Sequence, residues 1–442
     1  MLVKLLDITV KDTNLNVQNK KAILVDVVHQ SMGKNRDNIN SLEELSLLAY
    51  TAGAIVVGQV TQRREKPDNA YYIGQGKAEE LSVLAREHQA DYVIFDNDLS
   101  PAQIRNLEEI LGIAVIDRTE LILAIFGTHA RTNQSRLQLE LAHLEYALPR
   151  LKHLWSHLSR IGGGVRGDRG PGEKQLEVDR RLAFDRITTL KRELKRIQTR
   201  REEEVATRAE DFTVALVGYT NAGKSTLMNT LAHIDQLTED KLFSTLDTKT
   251  NIWEFASGQK VLLSDTVGFI RNLPHKLVES FHATLEEVRQ SDLLLHIVDA
   301  SSPDAESQIT AVNTVLKEID CNNKDIIIVL NKIDRADKIE LEILRRKFPD
   351  ACVISALKGL GIGELEERLE KIISARQVTL TVKVPMENGR LLAYLHQHGI
   401  ILDKKILDTY YKIRLRIGRR DLFKARQLGL TVKNIATKAL RH

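Results

Sequence analysis

The stretch TVALVGYTNAGKSTLMNTL spaces Gly218, Gly223, Lys224 and Ser225 as G-x-x-x-x-G-K-[ST], between an apolar run and a helical pattern. A glycine-rich turn that feeds a helix N-terminus presents backbone N–H groups to phosphates. Lys224 is then expected to reach the β- and γ-phosphates and Ser225 Oγ to ligate Mg2+. Tyr219, Thr220, Asn221, Ala222 and Thr226 complete the expected phosphate contacts. A second stretch, LLSDTVGFI, ends an apolar strand pattern at Asp265, expected to hold Mg2+ through water, and turns at Gly268, whose N–H would sense a γ-phosphate; Thr266 and Val267 lie between. Between the two stretches, KLFSTLDTKTN offers Phe243, Ser244, Thr245, Leu246 and Asp247 as a segment closing over the γ-phosphate. Thr245 is the first choice for a second protein ligand to Mg2+, with Thr248 and Thr250 as rivals.

The base reader is IIIVLNKID, which places Asn331 66 residues beyond Asp265. Asp334 can accept from guanine N1–H and the exocyclic amine, a donor pair adenine lacks. Asn331 supports the loop, the Lys332 stem can cover the base plane, and Ile333 lies between Lys332 and Asp334. The later ISAL run adds Ser355, Ala356 and Leu357, with the Ala356 N–H expected at guanine O6. GTP is therefore expected over ATP, with hydrolysis assisted by Lys224, Thr245, Gly268 and Asn221. One position resists this reading. Phe269 stands where phosphate chemistry calls for a polar side chain, and an apolar ring cannot hydrogen-bond to an attacking water.

These residues need a scaffold, and the pattern predicts an α/β fold. The apolar runs AILVDVV, AIVVGQV, DYVIFDN and IAVIDR alternate with helical segments in residues 1–130, which implies a parallel sheet covered by helices. YYIGQGKAEEL within it reads as a simple helix start, because it lacks a full phosphate motif. In residues 131–208, Leu137, Leu141, Leu144, Leu148, Leu151, Trp155 and Leu158 recur at spacings of four and three. Ala183, Ile187, Leu190, Leu194 and Ile197 do so again beyond a glycine-rich break. Seams this narrow bury little alone, so they predict a long antiparallel helical hairpin, kinked at Pro149. Its tip, residues 161–173, is glycine-rich; Arg160, Arg166, Arg169 and Lys174 in and beside it are expected to meet RNA. A second strand and helix alternation over 209–375 forms the nucleotide unit with a mostly parallel sheet, and 376–442 reads as a small basic α+β domain with strands in TLTVKVPM and YYKIRLRIG.

The 442 residues carry a net charge of only +4, but its distribution is uneven. Residues 150–201 carry +9 and 376–442 carry +11, leaving −16 on the remainder. Two basic segments on an acidic body suit a polyanion partner. Cys321 and Cys352 are too few for a disulfide framework, no apolar run is long enough to span a bilayer, and no secretory pattern opens the chain, so a cytoplasmic location is expected.

The set GYTNAGKST, LFSTLD, DTVGFI, NKID and SAL, preceded by YIGQGK, SPAQIRNLEE, IDRTELIL and RGPGEKQLEVDRR, resembles the HflX family of translational GTPases over about 21–375. The resemblance implies a GTP-hydrolysing factor that binds the large ribosomal subunit, acts in splitting or rescue of stalled ribosomes, and points its hairpin loop at the peptidyl transferase centre. A monomer is expected. Two other classes share the nucleotide motifs: a GTPase of ribosome assembly or RNA modification, and a GTP switch with protein partners only. In P-loop GTPases a glutamine usually stands at the Phe269 position and orients water. The help must come from elsewhere, either from the ribosome or from K+ at Asn221, which resembles the P-loop asparagine of potassium-stimulated GTPases. A plain loop hydrogen bond is the other reading of Asn221.

Overall fold

The computed structural model describes residues 17–29, 41–161, 171–207, 212–234, 242–243, 245, 248–271 and 282–430. The first unit is a four-stranded, wholly parallel sheet in the order β2-β1-β3-β4, built from β1 Lys21–His29, β2 Ile55–Arg64, β3 Tyr92–Phe95 and β4 Ala114–Asp117. Helices α1 Ser41–Thr51, α2 Gln75–Glu87, α3 Pro101–Leu111 and α4 Arg118–His129 cover it, as near-continuous apolar strands require. Local chemistry fixes the helix starts. Ser100 and Gln103 form a reciprocal capping box with Pro101 at the first helical position, and Asp117 caps the next helix by accepting from the Glu120 N–H. YYIGQGK does start a helix, with Gly74 at its cap.

The hairpin consists of α5 Asn133–Ile161 and α6 Pro171–Thr207. Leu141, Leu144, Ile187 and Leu190 form its buried seam, flanked by Leu137, Leu148 and Leu194, so the four-three spacing marks the face along which the arms meet. Arg186 forks onto both Glu140 carboxylate oxygens at 2.7 Å and Lys191 pairs with Glu145, fixing the register across the arms. Helix α5 runs on through Pro149. Arg160 and Lys174 are placed by backbone alone, near the facing ends of the arms; Arg166 and Arg169, with most of the tip, lie outside the described residues.

The second sheet has six strands in the order β10-β9-β8-β5-β7-β6: β5 Phe212–Gly218, β6 Lys249–Glu254, β7 Lys260–Asp265, β8 Leu293–Asp299, β9 Ile326–Asn331 and β10 Cys352–Val353. All neighbours are parallel except β6 against β7. Helix α7 Lys224–Ala232 follows β5, and α8 His282–Gln290, α9 Ala305–Glu318, α10 Lys338–Lys347 and α11 Ile362–Arg376 complete the unit. Thr250 lies inside β6 with its hydroxyl 2.9 Å from Ser264 Oγ, which removes it as a rival to Thr245.

The third sheet, β11-β13-β12, is antiparallel: β11 Gln377–Pro385, β12 Gly399–Leu407 and β13 Tyr410–Gly418, with α12 Gly389–His398 and α13 Arg419–Gln427 on one face. Among the described residues no helix is long and apolar enough to cross a membrane.

Leu190 is fully buried in the hairpin seam. Leu190→Ala should destabilise by about 2–5 kcal/mol through lost burial and a residual cavity, read by urea unfolding. A loss under about 1 kcal/mol would show that the arms do not depend on this seam.

Candidate active site

Strand β5 ends at Gly218 and the chain turns over Gly223 into α7. Gly223 has φ +93°, and a Cβ there would lie 2.3 Å from Asn331 Nδ2, so both backbone shape and space demand glycine. The turn is stitched to the segment after β7: Thr220 N–H donates to Phe269 O at 2.8 Å and Phe269 N–H to Gly218 O at 3.1 Å. Thr266 Oγ1 donates to Leu216 O at 2.7 Å. The two motifs therefore form one continuous surface.

Lys224 is buried, with its ammonium donating to the carbonyls of Tyr219 (2.8 Å) and Gly218 (3.2 Å). Burial, with Lys332 adding to it and Asp265 opposing, lowers its amine to about 8. Ser225 Oγ lies 2.6 Å from Asp265 Oδ2 and 2.9 Å from Thr245 Oγ1, and Thr245 Oγ1 lies 3.1 Å from the same Asp265 oxygen. Three hard oxygens thus meet at one point, as a Mg2+ site requires. Burial pushes the Asp265 carboxyl up despite Lys224, and its Oδ1 has no hydrogen-bond partner among the described residues. Gly268 flanks this point; a Cβ there would lie 3.0 Å from Lys224 Nζ and 2.8 Å from Thr220 Cα.

One pocket holds Thr220, Lys224, Ser225, Thr245 and Gly268, and a second holds Asn331, Lys332, Asp334, Ser355 and Leu357. Asn221, Gly223 and Thr226 line both, so the pockets adjoin. The second is organised by Asn331, whose amide donates to Ala222 O at 2.9 Å and whose Oδ1 accepts the Ala356 N–H at 2.9 Å. Ala356 lines this pocket as expected, with its amide already bonded to Asn331. Its amide is engaged, so an acceptor in the pocket shares it or uses the Leu357 N–H one residue on. Asp334 accepts from Ser355 Oγ at 2.7 Å, a bond that holds its carboxyl below the ordinary value, and Lys332 pairs with Asp299 at 2.7 Å. Arg335 lines this pocket in place of the expected Ile333, since Ile333 directs its N–H to Ile354 O.

Two further expectations are corrected. Tyr219 does not line the phosphate pocket: its backbone holds Lys224, but its ring turns away and its hydroxyl donates to Glu44 Oε2 at 2.6 Å. Val267 likewise belongs to an apolar cluster beneath the site. Phe243 and Thr245 stand at the pocket, whereas Ser244, Leu246 and Asp247 lie outside the described residues.

The sequence reading missed the seam between the first unit and this site. Glu44, on α1, accepts from Tyr219 OH, Arg271 Nε (2.9 Å) and Arg118. Arg118 also pairs with Asp96 and donates to Arg271 O at 3.1 Å; Tyr219 OH in turn accepts the Arg271 N–H at 2.9 Å. The Glu44 side chain is only 10% exposed. Burial raises its carboxyl, but the charges of Arg118 and Arg271 and the Tyr219 hydroxyl outweigh that and hold it below the ordinary value. Asp96, more deeply buried and near Asp26 and Glu44, is raised to about 6 against the pull of Arg118. Around this node, Phe269, Phe243, Leu242 and Ile270 share one apolar cluster with Leu45, Leu48, Ile122 and Phe126. The Phe243 and Phe126 rings meet edge to face with centroids 4.7 Å apart, and Leu242 N–H donates to Thr51 Oγ1 at 3.3 Å. Arg118 alone carried a usable sign, since it stands in IDRTELIL.

Three family profiles match the chain: GTP-binding GTPase N-terminal over residues 39–127, GTP-binding GTPase Middle Region over 129–208, and 50S ribosome-binding GTPase over 213–332. The curated GTPase HflX of Caldanaerobacter subterraneus subsp. tengcongensis is 43% identical over 90% of this chain and 91% of its own length. GTPase HflX of Lacrimispora saccharolytica is 45% identical over 87% and 90%, and that of Escherichia coli (strain K12) 42% over 88% and 92%.

Removing Glu44 leaves the buried Arg118 and the partly buried Arg271 guanidinium groups short of a counter-charge. Glu44→Ala should cost about 3–5 kcal/mol in denaturant unfolding, and its effect should be non-additive with Arg271→Ala. Additive losses would show that the two side chains do not act as one node.

Proposed function

The chain belongs to the HflX family of GTPases, and on that premise we propose that it hydrolyses GTP as a monomeric factor of the large ribosomal subunit, acting in the splitting or rescue of stalled ribosomes. The observation that carries the nucleotide part is the convergence of Ser225, Thr245 and Asp265 beside Lys224, in a pocket that shares walls with the Asn331–Asp334 pocket. The phosphates lie in the first pocket and guanine in the second. Asp334 accepts from the guanine N1–H and amine, held in place by Ser355. Lys224 exchanges its two carbonyl partners for phosphate oxygens.

Mg2+ fits the residues present: Ser225 Oγ, Thr245 Oγ1 and Asp265 would hold it, the last with a buried oxygen still lacking a partner among the described residues. When bound it supplies charge neutralisation between the β- and γ-phosphates. The Gly268 N–H then meets the γ-phosphate at a point where a side chain would strike Lys224. Phe269 gives the water nothing; its ring is 3% exposed and packs into the cluster shared with the first unit. The missing positioning comes from the ribosome, or from K+ near Asn221, which lines both pockets.

Support for the ribosomal part comes from the profile described as 50S ribosome-binding GTPase over 213–332 and from a two-armed helical projection in a segment carrying +9 over 150–201. Arg160, Arg166, Arg169 and Lys174 are the residues proposed to meet rRNA. A GTPase of ribosome assembly or RNA modification, or a switch with protein partners only, remains the competing class; co-sedimentation with ribosomal subunits in GTP, GDP and no nucleotide separates them.

Asp334→Asn should weaken GTP and favour xanthosine triphosphate, because an amide donor can pair with the carbonyl at xanthine C2. Unchanged guanine affinity, measured by calorimetry, would refute the base assignment. Single-turnover hydrolysis without ribosomes should be slow, on the order of 10⁻⁴ to 10⁻² s⁻¹, and large subunits should raise it by roughly 10³ or more. Replacing residues 161–172 by a short Gly-Ser loop should keep the basal rate within a few-fold but cut the stimulated one. The same assay in KCl and NaCl at equal ionic strength decides between cation and ribosome: a faster basal rate in KCl, lost in Asn221→Ala, assigns the help to K+. A basal rate above about 1 s⁻¹ in both salts would overturn both assignments.

A further inference from the structure

Among the described residues, the third sheet has one sealed face and one open one. Leu380, Val382, Val384, Ile413, Leu415 and Ile417 alternate inward against α12 and α13. The intervening residues must then project from the opposite face. There the pairing register brings Lys383 opposite Lys412 and Lys412 opposite Lys405, so three lysines stand in one rank across three strands. The next ranks are Thr381–Arg414–Asp403 and Thr379–Arg416–Ile400, and on the other side lies Pro385–Tyr410–Leu407.

Like charges directly opposite each other on neighbouring strands destabilise a sheet, because side chains in such pairs lie only about 5 Å apart. Here Lys383, Lys405, Lys412 and Arg414 are all exposed, and among the described residues no acceptor pairs with Lys405, Lys412 or Arg414. Arg416 is directed by its bond to Ser374 Oγ at 3.2 Å. Asp403 is the one carboxylate in these ranks, against five cations. A partner that brings negative charge to this rank would relieve the repulsion.

We propose that this face is a docking surface for single-stranded RNA. Successive ranks lie two residues apart, about 7 Å along the strands, which is comparable with the separation of successive phosphates in a nucleic-acid strand. Tyr410 sits at the end of the array with Lys383 Nζ 4.6 Å from its ring centroid, a ring and a cation together for a base and its phosphate. The Thr379 and Thr381 hydroxyls add donors and acceptors for phosphate or a 2′-OH. An acidic peptide would meet the charge but brings no base to stack on the terminal ring. The inference goes beyond the ribosomal reading and does not rest on it: a chain that never sedimented with large subunits would still carry this footprint.

The test uses the full chain, with the hairpin intact, and a fluorescein-labelled 20-nucleotide polyuridine RNA. The variants are Lys383→Gln, Lys405→Gln and Lys412→Gln combined, the same three positions changed to Arg, and a control with Lys77→Gln, Lys260→Gln and Lys338→Gln. The glutamine triple should bind at least about tenfold more weakly at 0.1 M salt and lower the slope of log affinity against log salt by about 2, while the arginine triple and the control keep the parent values. It should also unfold about 2 °C higher or more without RNA, since the repulsion is gone. Unchanged RNA affinity and slope in the glutamine triple would overturn the proposal. So would polyglutamate of matched charge competing as well as unlabelled RNA, which would assign the face to an acidic protein.

Discussion

The carboxylate of Glu44 is the point on which the nucleotide site and the first sheet unit both depend. A carboxylate this shielded from water is stable only when its partners are fixed, and its partners are the tyrosine of the phosphate loop, the arginine two residues beyond Phe269, and an arginine at the start of a helix in its own unit. Electrostatics here is a matter of completeness. With every partner present the node is satisfied; with one missing, the remaining charges stay buried without compensation. The phosphate turn and the segment after β7 are therefore not bounded by solvent. They lean on a second folded unit.

This bears on the absence of a polar side chain at position 269. In this structure the ring is a wedge in an apolar cluster, and the neighbouring backbone bonds to Gly218 and Thr220 fix where the segment runs. Exposing one such ring costs about 1.5–3 kcal/mol, and Phe243 is held in the same cluster against Phe126. Phe243 also has φ +56°, an unusual backbone for a bulky residue, kept in place by that packing. At this position the side chain packs and offers the water no hydrogen bond.

Much of this was legible in the sequence because it rested on short-range pattern. The phosphate loop, the Asn331–Asp334 run and the leucine spacing of the hairpin each declare themselves within one or two turns of chain, and the structure brings Leu141, Leu144, Ile187 and Leu190 together as the spacing implied. Strand β12 did not declare itself: GIILDKKIL mixes an apolar start with a charged run, and pairing with β13 decides its conformation. The Glu44 node was invisible for a different reason. Arg118, Tyr219 and Arg271 lie 74, 175 and 227 residues from Glu44 along the chain, and a glutamate on an amphipathic helix announces only that it sits near a surface. Ala356 shows the same limit at short range, since nothing in ISAL says that Asn331 takes its amide.

Ala142, on the first arm of the hairpin, lies in the same apolar cluster as Phe126 and Phe243. From there the arm runs a further 19 residues to Ile161, about 28 Å of helix. A rod of that length seated on a small base is a lever. A tilt of about 5° at the cluster displaces the far end by about 2.5 Å, whereas the same rotation moves atoms beside Ala142 by only a few tenths of an ångström. The arm thus amplifies angular change at its seat, and its reach is set by the number of helical residues beyond the fulcrum.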